Sequence, residues 1–237
     1  MLLVPLILVI FVPILYLAIT CNVPASEVNG ADKLMKMLPK EAASYNVKQA
    51  SFYMMTNMMF PMFFLMIPLM TSSVAAASSF VGERERGTLE TLLLTPLQPK
   101  QIFKAKVLGC IFLSVIVTAL SFVAFAIVIS VGDIIMKLPF FLNWSWLVLI
   151  LLFSPAVTVF GVVFMVLVSA KSKSYIESIQ TSGYIVLPLV LIFLGEFMGL
   201  FTLNAMMFLL LSLILIAVDA VIWTITARSF KTDKLIK

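Results

Sequence analysis

Six long apolar runs dominate this chain, and nearly all of its charge lies in the gaps between them. Each run is near the ~20 residues that a helix needs to cross a ~30 Å hydrocarbon core. They fall at about residues 1–20, 51–80, 107–131, 147–170, 176–194 and 205–227. Backbone polar groups in lipid must be satisfied within the segment, so runs of this length read as helices. The fold class that follows is all-α: a polytopic membrane protein with six transmembrane helices, forming one domain over 1–237. Composition agrees, since 62% of the 237 residues are hydrophobic and 11% are charged. A soluble domain carries roughly 25% charged residues.

The first run has no Lys or Arg before it and no small-residue cleavage site after Ala18, so it reads as a membrane helix and not as a cleaved signal. The second contains Pro61 and Pro68, then a run of small residues from Thr71 to Ser79 that lets helices approach closely. Trp144 and Trp146 read as an interfacial aromatic anchor.

With six spans, both termini share a side. That side carries Arg84, Arg86, Lys100, Lys104, Lys106, Lys171, Lys173, Arg228, Lys231, Lys234 and Lys237, eleven basic residues. The other carries five: Lys33, Lys36, Lys40, Lys48 and Lys137. The positive-inside rule makes the first side cytosolic, an N-in/C-in topology. It leaves 82–106 as a cytosolic loop and 21–50 as an extracellular one.

Several functions are disfavoured. The chain has no His, which removes His general bases and most zinc or iron sites. Cys21 and Cys110 fall on opposite sides of the membrane in this topology and do not pair. Basic residues cluster at the ends of apolar runs and form no stripe for nucleic acid. No Gly-Lys-Ser/Thr phosphate loop is present, so this chain does not itself bind ATP, and no cofactor or metal is expected in it.

The most informative loop begins Gly82-Glu83-Arg84-Glu85-Arg86-Gly87-Thr88 and continues Leu89-Glu90-Thr91-Leu92-Leu93-Leu94-Thr95-Pro96. Gly87 can break the preceding helix, Thr88 is a good N-cap, and Glu90 suits the positive end of a helix dipole. Leu89, Leu92 and Leu93 share one face, and Pro96 ends the segment. These residues describe a short amphipathic helix, which can rest on the bilayer, tuck against the bundle or enter a groove on a partner.

This string closely resembles the motif that follows the second span in type-2 ABC exporter permeases: an acidic-basic run, Gly-Thr-Leu-Glu, then a leucine-rich turn ending in Ser/Thr-Pro. Span number, loop position and length agree with that family by hydropathy. The resemblance implies a cytosolic coupling helix that receives the motion of an ABC ATPase. Glu83, Arg84, Glu85 and Arg86 would make polar contacts at the ATPase surface. Thr88 to Thr95, with Leu89, Glu90, Leu92 and Leu93, would form the inserted helix. It further implies two copies of the ATPase, which bind ATP and Mg, and a second permease copy or a related permease. The sequence departs from many relatives in beginning inside the first run, without the amphipathic helix they place before it. Only Gly195 to Asn204 is available between spans five and six, so any external gate is small.

Polar residues inside the runs are the candidates for a substrate path. Met54 and Met58 in the second span, Gln180 and Tyr184 in the fifth, and Asp219 in the sixth are taken as that path, with plain packing as the alternative for the methionines and an interfacial partner for Asp219. Glu177 reads as an interfacial ion pair or dipole partner, and Glu196 as a solvated residue at the outer surface. The expected function is export of an amphipathic or lipophilic substrate, such as an amphipathic or antimicrobial peptide or a drug, across a bacterial cytoplasmic membrane. The alternatives are a secondary transporter driven by an ion gradient and a sodium-extruding ABC permease. A secondary transporter calls for several intramembrane carboxylates and inverted repeats, which the sequence lacks.

Overall fold

The structure, a computed structural model, describes residues 3–22, 44–88, 98–169, 172, 174–198 and 200–229. Six helical rods account for nearly all of them, and no strand occurs among the described residues. They are α1 (Leu3–Asn22), α2 (Val47–Glu85), α3 (Pro99–Met136), α4 (Trp144–Ser169), α5 (Tyr175–Glu196) and α6 (Ala205–Ser229). Helices α2 to α6 are each long and apolar enough to cross a membrane, and α1 is a shorter apolar helix over Val9–Asn22.

Helical backbone extends past the apolar runs wherever a cap allows it. Asn46 precedes α2, and its N–H donates to Gln49 Oε1 at 3.0 Å. Pro99 opens α3 at a position where no N–H is needed, behind the Gln98 N–H that donates to Gln101 Oε1 at 3.2 Å. The 38 residues of α3 span ~57 Å, far more than a ~30 Å core, so its basic first turns continue beyond the apolar part.

Two of the prolines coincide with local changes of helical pitch. Pro61 would clash with the carbonyl four residues back, at Asn57, and Met55–Met59 widens there into a π-helical turn. Pro155 follows the π turn Leu149–Phe153 in the same way. A third π turn, Ser78–Gly82, lies just before the charged end of α2.

Of the five longer rods, α2 is the most enclosed and α6 the least. The small-residue run does let helices approach: a Cβ added at Gly161 of α4 would meet Ser72 Oγ of α2 at 2.0 Å. Hydroxyls along this seam are satisfied within their own helices, as when Thr71 donates to the Ile67 carbonyl at 2.8 Å and Ser73 to Leu69 at 2.8 Å. Nearer the start of α2, Phe64, Phe125 and Trp146 form an aromatic core with ring centroids 5.3–6.1 Å apart. Trp146 therefore departs from its sequence reading. Trp144 is exposed as an anchor would be, but Trp146 is 1% exposed. Asn143 caps α4 by accepting the Trp146 N–H at 3.0 Å, and this turns the second indole inward.

Candidate functional site

Helix α2 ends in the charged motif, and the ladder closes because of Gly87. This residue adopts φ +71°, a conformation that favours glycine, and its N–H donates to the Arg84 carbonyl at 3.2 Å. Thr88 Oγ1 donates back to the Glu83 carbonyl at 3.1 Å, which occupies another terminal acceptor.

Three of the four charged side chains in the motif turn toward other helices. Glu83 pairs with Lys106 of α3, and Lys106 also donates to the Ser79 carbonyl at 3.2 Å and lies over the Phe80 ring at 5.8 Å. The Lys106 side chain is 12% exposed and that of Glu83 33%, so the pair is partly withdrawn from solvent. Arg84 donates through Nη2 to the Ser172 carbonyl in the connection between α4 and α5. Glu85 Oε2 accepts the Tyr175 N–H at 3.2 Å, in the first turn of α5. Arg86 is exposed. One end of α2 is thus tied to α3, to the end of α4 and to the start of α5. Apolar contacts continue beneath it from Phe80 to Phe103 and on to Trp223 of α6. Leu89, Glu90, Leu92 and Leu93 lie outside the described residues.

The residues proposed from sequence for a substrate path do not gather at one place. Met54 and Met58 line a cavity of about 510 Å3 at the other end of α2. Gln180 and Tyr184 are exposed on α5, and Tyr184 is 68% exposed. Asp219 lines neither this cavity nor a smaller apolar one of about 170 Å3 between α2, α4, α5 and α6. It is buried, and both of its carboxylate oxygens lack a hydrogen-bond partner among the described residues. Glu177 sits in the first turn of α5, after the cap Ser174.

Glu196 corrects the sequence reading. It is 4% exposed and lines the larger cavity, and its Oε1 accepts the Leu203 N–H at 3.0 Å. The turn between α5 and α6 folds back over it. Gly195 permits this, since a Cβ there would meet the Phe201 ring at 2.7 Å. Its place in the short turn from Gly195 to Asn204 made Glu196 look solvated; only a fold-back of this kind, absent from any local pattern, buries it.

A family model described as ABC-2 family transporter protein matches residues 1–234. The chain belongs to that family. No curated protein and no solved structure matches it. As an ABC-2 permease it is a membrane-spanning transport subunit and not a catalytic one, and the family as a whole works with ABC ATPases.

Proposed function

We propose that this permease is the membrane half of an ATP-driven exporter. The observation that carries the reading is the junction at Glu83, Arg84 and Glu85. A partner pressing on the segment that follows would act on α2, α3 and α5 together, because each is bonded to the motif. In this reading all six helices span a bacterial cytoplasmic membrane with both termini in the cytosol, in line with the eleven-to-five distribution of basic residues. Residues 82–106 then face two ATPase subunits, which bind ATP and Mg, and Leu89, Leu92 and Leu93 form the inserted face of a coupling helix. Arg86, exposed beside that helix, is the member of the charged run best placed to meet the ATPase. Two permease copies, or this one and a related one, complete the transporter, with lipid around the apolar outer surfaces of α3 and α6. The cargo is amphipathic or lipophilic, such as an amphipathic peptide or a drug.

Purification of the permease together with a candidate ABC ATPase tests this reading. The expected result is a stable complex whose substrate-stimulated ATP hydrolysis is lost in Leu92→Asp, while the complex or its separate subunits remain folded. A purified permease that recruits no ATPase, or an L92D variant with unchanged transport, overturns the assignment.

A further inference from the structure

The cavity at the Glu196 end has an unusual electrostatic balance. Among the described residues, Glu196 is the only charged one lining it, and no Lys or Arg joins that lining. Its Oε1 is used by Leu203, but its Oε2 is buried with no hydrogen-bond partner among the described residues. A buried carboxylate oxygen without a partner is costly, and a cation with N–H groups or a diffuse positive charge is the natural complement. The neighbouring lining is suited to such a guest. Asn57, Asn143 and Asn204 supply amide groups, and Asn143 Nδ2 already donates to Asn57 Oδ1 at 2.7 Å. The remaining wall is soft and aromatic: Met54, Met58 and Trp146. Aromatic faces attract organic cations, and methionines adapt to varied shapes. A volume of about 510 Å3 is within the usual range for small-molecule sites.

We infer that this cavity is a binding site for an amphipathic organic cation, with the cationic group at Glu196 Oε2 and the apolar body against Met54, Met58 and Trp146. The inference rests on the transport reading only in treating the ligand as cargo. The cationic group can belong to a diffusible molecule or to an aminophospholipid headgroup, since both offer the same chemistry.

Ethidium binding to the full-length permease in dodecyl maltoside, followed by fluorescence anisotropy, tests the site without any ATPase. A failure here is therefore distinct from a failure of coupling. Saturable binding is expected, weakened ~10-fold or more in Glu196→Gln, which keeps an oxygen for the Leu203 N–H but removes the charge. Met58→Trp, which fills the cavity and leaves Glu196 intact, is expected to weaken it similarly. Neutral phenanthridine is expected to bind wild type and E196Q alike, and Asp219→Asn to leave ethidium binding unchanged. Competition by phosphatidylethanolamine but not phosphatidylglycerol identifies a lipid amine as the natural guest; no competition by either identifies a diffusible cation. Wild-type ethidium affinity in E196Q overturns the inference. So does displacement by sodium but not potassium, which would make the site one for an inorganic ion.

Discussion

The two ends of α2 solve opposite problems. At the Glu83 end, the charged side chains are matched by groups on neighbouring segments: Glu83 with Lys106, Arg84 with a carbonyl, Glu85 with a backbone N–H. At the Glu196 end, ~40 Å away along the helix, the bundle leaves about 510 Å3 open and a carboxylate oxygen unmatched. An end that is matched and tied can pass on force with little slack. An end with unfilled space and unsatisfied polar atoms can accept a guest. Between them lies the tight α2–α4 seam at Ser72 and Gly161, which makes the two ends parts of one body.

The largest expected effect is at that seam. Gly161→Leu places a side chain where even a Cβ meets Ser72 Oγ at 2.0 Å, and should cost ~3 kcal/mol or more in thermal unfolding. Gly109→Leu, with nothing within 4 Å of its Cβ, should be close to neutral. Near-equal losses would mean that the seam is not closely packed. Next comes Lys106→Met, which strands Glu83 in a partly withdrawn site. A loss of ~1–2 kcal/mol is expected, discounted because Glu83 is 33% exposed, and Glu83→Gln in the same chain should recover part of it. Asn143→Ala should cost ~1 kcal/mol through loss of the α4 cap and of the bond to Asn57. Smallest of all, Met58→Trp should change stability by less than ~0.5 kcal/mol, since it grows into open space. A large loss there would show the Glu196 end to be as tightly packed as the seam, and would remove the contrast between the two ends.

Much of this was readable from the residues, and what was not has a common cause. Hydropathy found the helical runs because the bilayer sets one length scale. Gly87 marked the end of α2 because a positive φ favours glycine. The partners of the motif were hidden: Glu83, Arg84 and Glu85 find theirs 23, 88 and 90 positions away. Only the packing of α3, α4 and α5 brings these together, and the same holds for Glu196, which is buried by the return of Leu203. Trp146 misled because an indole near the end of an apolar run suits an interface as well as a core. Its cap bond to Asn143, and the aromatic cluster it then joins, decide the matter.

The central claim is that the Glu83 end, and not the Glu196 end, receives the ATPase. Cross-linking from single cysteines tests it most directly, in a chain whose Cys21 and Cys110 are replaced by alanine. With a short thiol-to-amine reagent, Arg86→Cys should cross-link to the ATPase in the assembled transporter, and Thr202→Cys, exposed at the cavity end, should not. Cross-links from Thr202→Cys, or none from Arg86→Cys in a complex that hydrolyses ATP, would contradict it.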